Sequence, residues 1–494
     1  MNEAIKDEFE IRKEKLEKLN SAGIQDYPDK FKKTHSSKDA LAEKEGTKNI
    51  CIAGRIITKR TMGKISFAHI LDDFGKIQLV FKDDEVGESE YKIFNDLVDG
   101  GDFIGASGEL FTTKKGEVSI LVKNYTFLGK ALRPLPEKWH GLKDVEMRYR
   151  QRYLDIIANP DTKKVFEFRS LFMRVLREYY WGKGFIELET PILANTASGA
   201  LAKPFKTHHN ALNTDLYLRI SAGEIWQKIA IIGGFEKTFD MGKVFRNEGM
   251  DPSHLQEFTA VEHYAAYWNF EDNMKFTEEM FSHLLKKLFG KMKIDIKNRK
   301  GETAEIDFTP PWPKITFRDV IKKDCGIDID VFSSQKELLS EIKKKKIYTE
   351  EMKNLGLGNL VDTLYKTVSR DTIIKPTFLI NHPIDVSPLA RKNDKNPKIV
   401  DRFQLLVNGW EIVNAYSELI NPEDQKQRFA QQVAAKAKGD EEAHGEDNEF
   451  IKALEHGAPP MSGWGMGIDR IVALLTQQDN LRDVVLFPLM RPEE

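Results

Sequence analysis

Residues 238–262, TFDMGKVFRNEGMDPSHLQEFTAVE, constrain this chain more than any other stretch. They read as a strand, a glycine-bearing loop and a return strand. Side chains on a strand alternate between its two faces, so Arg246 and Glu248, two apart, are expected on the same side. A guanidinium there neutralises a carboxylate or a phosphate through a bidentate contact. Phe258 offers a face on which a flat ring stacks, and His254, Glu257 and Glu262 add polar groups. The same pattern also suits an amphipathic hairpin with surface charges, so the stretch alone leaves two readings open.

A second stretch, 463–491, reads GWGMGIDRIVALLTQQDNLRDVVLFPLMR. Gly463, Gly465 and Gly467 fall on alternate residues of a strand-like run, where the missing side chains let something flat or bulky approach. Ile468-Asp469-Arg470 then opens an apolar helix over 471–476. Arg470 sits near its N-terminus, where the helix dipole also favours anions. A third stretch, 165–181, is a long amphipathic segment with Val165, Phe168, Phe172, Val175, Leu176 and Tyr179 on one face. It leads into GFIELETP, an extended run ended by Pro191.

A chain of 494 residues predicts two to four domains. Net charge −2 with 31% charged residues describes a soluble globular chain. Near-neutrality does not exclude a nucleic-acid partner, which needs only a local basic face. Cys51 and Cys325, far apart, argue against a disulfide scaffold or a cysteine zinc site and suit a reducing cytosol. The first residues, MNEAIKDEFEIRKEKLEKL, lack the apolar core of a signal peptide. No run of about 18 apolar residues suggests a transmembrane helix, so a cytoplasmic location is expected.

Residues 3–20 read as a charged helix with a thin apolar stripe, and 33–48 as a polar linker. Short β-branched or aromatic runs at 50–58, 65–71, 76–81, 103–111 and 118–127 read as strands, with a helical piece near 90–97. Five strands so spaced suit a five-stranded OB-fold barrel, which stacks bases of single-stranded nucleic acid on aromatics. Arg55, Phe67 and Gln78 fall on candidate binding strands, although Phe67 also suits a barrel core. Arg133-Pro134-Leu135-Pro136 forces an extended path. The basic, aromatic run 148–155 reads as a hinge facing nucleic acid or the catalytic core. From 165 onward one large α+β domain is expected, with the lysine-rich 313–356 as a helical surface insertion.

The hairpin resembles motif 2 of the class II aminoacyl-tRNA synthetases, 463–491 resembles motif 3, and 165–191 resembles motif 1. Four further stretches make the chain similar to the bacterial-type class II lysyl-tRNA synthetases over nearly its whole length. They are LRPLPEKWHGLKDVEMRYRQRYLD at 132–155, ALAKPFKTHHNAL at 200–212, IDVSPLAR at 384–391 and NAYSELINPEDQKQ at 414–427. The resemblance implies an α+β chain. It begins with an N-terminal helical extension and linker (1–48), followed by a five-stranded OB-fold β-barrel that binds the anticodon (49–130). A hinge (131–164) then leads to a class II catalytic domain (165–494) whose mainly antiparallel sheet is flanked by helices. It also implies a homodimer formed through motif 1. The implied reaction joins L-lysine and ATP into lysyl-adenylate and pyrophosphate, then passes lysine to the 3′ end of tRNA(Lys). Alternatives are a related asparaginyl or aspartyl synthetase and a catalytically inactive OB-fold nucleic-acid-binding paralogue.

The family's roles carry over residue by residue. Arg246 takes the substrate carboxylate and α-phosphate, and Arg470 the γ-phosphate, as the two electrostatic clamps of catalysis. Glu248 and His254 position phosphates and adenine, Phe258 stacks on adenine, and Glu411 carries Mg²⁺. Gly199 and Glu224 match the α-ammonium side. Glu262, Tyr264 and Glu418 match the ε-ammonium side, with Asn414 and Tyr416 beside them. Carboxylates are what a desolvated ammonium requires, because an unpaired buried charge is prohibitively costly. Arg55, Phe67, Gln78 and Glu109 match the anticodon side. Two departures stand out. Where the family has a second Mg²⁺-binding glutamate, this chain has Gln404, whose amide oxygen ligates Mg²⁺ more weakly or through water, leaving the number of ions open. The segment 220–224 is also one residue longer than the usual pattern.

Overall fold

The computed structural model describes residues 7–136, 142–196, 202–298, 300–353, 355–437 and 447–493. They form two compact units, Met1–Leu142 and Lys143–Glu494.

In the first unit, strands Ile50–Met62, Ile65–Leu71, Lys76–Lys82, Phe103–Thr112 and Val118–Gly129 close a barrel. Along the barrel the order is first, second, third, fifth, fourth. The period-two pattern sends Ile50, Ile52, Ile70, Leu79, Ile104 and Ile120 inward. Helix Glu88–Leu97 stacks Phe94 on Phe81, ring centroids 3.8 Å apart. Helix Glu8–Ser21 contributes Leu19 to the same core. The 33–48 stretch, read as a linker, instead carries helix Ser37–Ala42, started by a capping box between Ser36 and Asp39. Ser37 Oγ donates to Asp72 Oδ1 at 2.5 Å and Ala40 is buried in the barrel core. Polar composition hid both, because one small alanine is enough to anchor a single turn.

The second unit is built on an eight-stranded sheet. Its order is Lys314–Thr316, Thr377–Ile380, Arg402–Val407, Trp410–Ser417, Met461–Gly467, Glu257–Ala266, Lys237–Phe245 and Ile186–Glu187. The two outermost pairs are parallel and the rest antiparallel. Helix Pro160–Gly182 starts with proline at its first turn, where the absent N–H costs nothing. It and helix Phe270–Phe289 cover one face of the sheet through Phe172, Leu176, Tyr180, Met280 and Phe281. The sheet answers with Phe239, Val261, Phe403, Leu405 and Trp464. The opposite face is left for the site.

The lysine-rich stretch is less separate than its composition suggests. Helices Phe317–Cys325, Gln335–Lys344 and Leu357–Val368 share a small core with Leu379 and Leu406 of the sheet. That lobe runs past 356, and its preceding residues 314–316 are an edge strand of the main sheet. The basic, aromatic run near 150 packs within the second unit. Arg152 is buried against Asp155 at 2.7 Å and donates to Arg482 O at 2.9 Å, while Tyr149 Oη donates to Asp483 at 3.1 Å. Among the described residues no helix is long and apolar enough to cross a membrane.

Candidate active site and nucleic-acid face

A cavity of about 360 Å³ opens on the uncovered face of the sheet. Alternation along Glu257–Ala266 points Phe258, Ala260, Glu262 and Tyr264 into it. Val261 and His263 point the other way, His263 bonding Tyr180 Oη at 2.9 Å and Asn273 Oδ1 at 2.8 Å. The glycine strand Met461–Gly467 runs alongside. A Cβ on Gly463 would collide with the Glu418 carboxylate and the Tyr264 ring, and one on Gly465 would lie 3.3 Å from Glu262 Cγ. These glycines therefore make room for the pocket's own acidic and aromatic groups.

At one end of the cavity are cations. The Lys237–Phe245 strand stops one residue short of Arg246, so Arg246 and Glu248 lie on the following loop rather than on one strand face. Beyond the strands, Arg246 N donates to Gln256 O at 2.8 Å, and an isolated bridge pairs Asp251 with His254. Both side chains nevertheless line the cavity. Arg246 Nε donates to Ile220 O at 3.2 Å, and its guanidinium lies 5.3 Å over the Phe258 ring. His254 lines the same end and pairs with Asp251 at 2.7 Å. Arg470, third residue of helix Ile468–Leu475, donates to Glu411 O at 2.9 Å. Burial lowers its pKa while Glu411 opposes the shift, and a guanidinium stays charged throughout. The preceding Asp469, given no role from sequence, is buried. It accepts from Thr259 N at 2.6 Å and pairs with Arg169 at 2.7 Å, locking the start of this helix to the hairpin and the long helix.

At the other end are carboxylates. Within the 220–224 segment, Gly223 takes φ +76°, with Thr190 filling the space a Cβ would need. Glu224 then opens helix Glu224–Ile232 and lines the cavity. Tyr416 Oη donates to Glu224 Oε1 at 2.8 Å. Glu262 Oε1 accepts Ala222 N at 2.7 Å. Burial, helped by the charge of Glu224, pushes the Glu262 carboxyl up to about 7. Glu418 is not on the cavity surface as expected: it is buried behind Gly463, its Oε2 2.5 Å from Lys228 Nζ. Lys228, absent from the sequence reading, also pairs with Glu224 at 2.7 Å. Asn414 lines the cavity, its Oδ1 accepting from Arg402 Nε at 2.8 Å. Gly199 lies outside the described residues.

Glu411 faces the cavity, but Gln404 does not. Gln404 is buried and its Oε1 lies 3.2 Å from His382 Nε2, so it is engaged elsewhere and makes a poor second metal ligand. Among the described residues no cluster of three or more histidine, cysteine or acidic side chains is arranged to hold a metal. One carboxylate beside two arginines fits Mg²⁺ that brings substrate phosphates as its other ligands.

The raised Glu262 carboxyl has a measurable consequence. Below about 7 it takes up a proton in the free protein, and a substrate ammonium needs the ionised form. The KM for a cationic amino acid should therefore rise about tenfold between about pH 8 and about pH 6. Glu262→Gln should weaken that dependence without abolishing it, because burial also raises the neighbouring Glu418 carboxyl. A wild-type KM constant across this range would contradict the assignment.

On the barrel, Ser66, Ala68 and Ile70 point inward or are buried, and Phe67 sits half-buried on the outer face, opposite Arg60 and Val80. Phe67 is thus not a barrel-core residue. Two positions along, His69 faces Gln78. Both bind the Glu117 carboxylate, at 2.8 Å each, and Ser119 Oγ donates to Gln78 at 2.9 Å. Arg55 is set apart, opposite Leu71, donating to Gly101 O at 2.9 Å with its guanidinium 4.2 Å over Phe103. Glu109 lies on another strand, opposite Leu121. Arg60, not singled out from sequence, is the cation directly across from Phe67.

A mainly antiparallel sheet with a glycine strand, an arginine at a helix start and an arginine-bearing hairpin defines the catalytic unit of a class II tRNA synthetase. Residues 144–491 match the family described as tRNA synthetases class II (D, K and N), and 50–128 match an OB-fold nucleic acid binding domain. A lysine–tRNA ligase of Pelotomaculum thermopropionicum is 44% identical over 495 residues, covering 100% of this chain and 96% of that protein. One of Carboxydothermus hydrogenoformans is 44% identical over 496 residues, with 100% and 99% covered. One of Aquifex aeolicus is 47% identical over 445 residues, with 90% and 73% covered. The chain belongs to the lysine–tRNA ligase family of the class II tRNA synthetases.

Proposed function

We infer that this chain is an ATP-dependent lysine–tRNA ligase. The observation that carries this reading is the two-ended cavity, with Arg246 and Arg470 at one end and Glu224, Glu262 and the deeper Glu418 at the other. L-lysine lies between them, its carboxylate on Arg246 and its ammonium groups toward the acidic end. Glu224, with Gly199, serves the α-ammonium. Glu262, Tyr264, Asn414 and Tyr416 enclose the ε-ammonium, with Glu418 acting from behind. ATP lies along Glu248, His254, Phe258, Glu411 and Arg470, adenine stacked on Phe258.

A lysine carboxylate oxygen attacks the α-phosphorus, and the bond to the bridging oxygen of the β-phosphate breaks, releasing pyrophosphate. The 3′-terminal hydroxyl of tRNA(Lys) then attacks the carbonyl carbon and AMP leaves. No side-chain nucleophile enters. The chain's work is positioning and charge neutralisation by the two arginines. Glu411 would hold Mg²⁺, which supplies further neutralisation of the phosphates. An aspartate- or asparagine-specific pocket has no use for three carboxylates at its far end, which disfavours the related synthetases.

Residues 49–130 act as the anticodon-binding domain, with Phe67 as the stacking platform and Gln78 as a polar reader. Arg55 and Glu109 are more distant contacts. The chain works in the cytoplasm as a homodimer through the 165–191 region, a reading supported by exposed Leu171, Trp181 and Ile186 there. Phe67→Ala should lower tRNA(Lys) aminoacylation by roughly 1–3 kcal/mol of recognition and leave exchange without tRNA unchanged. Equal loss in both assays would show that Phe67 matters for folding instead. The reading itself is tested by aminoacylation with purified tRNA(Lys) and tRNA(Asn). Lysine should be attached to tRNA(Lys) alone; charging of tRNA(Asn) with asparagine would overturn it.

A further inference from the structure

Helix Glu224–Ile232, EIWQKIAII, contains a lysine that ordinary patterning would turn to solvent. Instead the Lys228 side chain is only 2% exposed. Its ammonium lies 2.7 Å from Glu224 Oε1 and 2.5 Å from Glu418 Oε2, and stands 5.7, 5.9 and 5.7 Å from the rings of Tyr264, Tyr416 and Phe450. Glu224 lines the cavity; Lys228 lies behind its wall. Glu418 accepts no hydrogen bond from any other described residue, so this ion pair is what compensates its buried charge.

The charged groups facing Lys228 are few. Glu224 shares its helix. Glu262 and Tyr264 come from strand Glu257–Ala266, Tyr416 from strand Trp410–Ser417, and Glu418 is the residue just after that strand. Helix Asn448–Glu455 brings only the Phe450 ring. Burial alone would strip the proton from this lysine, but the two carboxylates outweigh it and hold the group as an ammonium. Burial raises both the Glu262 and the Glu418 carboxyl in the free protein; once ionised for a bound cation, three carboxylates against one internal ammonium leave two negative charges. Lysine, entering with an α- and an ε-ammonium, balances both. An amino acid with one ammonium leaves a buried carboxylate uncompensated, which a low-dielectric site tolerates poorly.

We propose that Lys228 is a positioning, specificity-determining residue that clasps Glu224 and Glu418 and sets the pocket's charge to match an amino acid carrying two ammonium groups. This rests on reading the cavity as the lysine site. Three proteins test it beside wild type: Lys228→Met, Glu418→Gln and the double variant. In Lys228→Met a proton must replace the missing charge. Its KM for lysine should rise about tenfold or more, with the KM for ATP within about threefold of wild type. Adding Lys228→Met to Glu418→Gln restores the balance, so the double variant should have a lysine KM no higher than Glu418→Gln alone.

Losses that multiply in the double variant would make Lys228 a packing residue and overturn the proposal. If Lys228→Met does not fold, the double variant against Glu418→Gln carries the comparison, and a further loss above about tenfold overturns it. Failure of both to fold also overturns it. Wild-type protein without lysine-dependent exchange overturns the functional reading and this proposal together, whereas normal wild-type exchange with an indifferent Lys228→Met overturns this proposal alone.

Discussion

Arg246→Ala is expected to lower lysine-dependent ATP–pyrophosphate exchange by at least roughly 10²–10³-fold. Arg246 lies at the cation end of the cavity, held by Ile220 O and stacked over Phe258. In the proposed reaction it sits where the lysine carboxylate would meet the α-phosphorus, and charge would develop there as pyrophosphate leaves. A preorganised guanidinium in a partly dry site is worth more than one in water, and water cannot replace its fixed geometry. The fold should survive, because the side chain makes one backbone hydrogen bond and contributes nothing to the sheet core. Exchange kinetics beside a melting curve check both halves. Near-normal exchange in a folded variant would show that the hairpin does not bind the reacting groups.

Glu418→Gln should reduce kcat/KM for lysine by roughly 2–4 kcal/mol of transition-state binding. The loss comes from two sources. One negative charge facing the substrate ammonium disappears, and Lys228 keeps Glu224 as its one carboxylate partner, pulling that group from the cavity. The effect should fall on the KM for lysine far more than on that for ATP. A variant that weakened both substrates equally would place Glu418 in the scaffold instead.

Much of the fold was legible because it rests on local periodicity. The barrel strands alternate, and the long helix repeats its apolar residues at three and four. Phe67 was ambiguous in sequence, since a strand phenylalanine suits either face; pairing register, a long-range property, turns it outward. The cation end of the cavity was legible in outline, although Arg246 and Glu248 reach it from a loop and not by strand alternation. The acidic end was only half legible. A lysine in an apolar helix gives no local sign that its partners include a glutamate nearly two hundred residues on, so Lys228 was missed and Glu418 was expected to meet the substrate ammonium directly. Asp469 was passed over for the same reason, as its partners Arg169 and Thr259 come from two other elements. Gln404 matched a family ligand position, yet His382, distant in sequence, engages its side chain.

The central claim is that this cavity selects lysine by charge at both ends. ATP–pyrophosphate exchange with each of the twenty amino acids, on the wild-type protein without tRNA, tests it most directly. Lysine alone should support substantial exchange, with aspartate and asparagine at background. Exchange driven equally well by asparagine or aspartate, or by none of the twenty, would contradict the account.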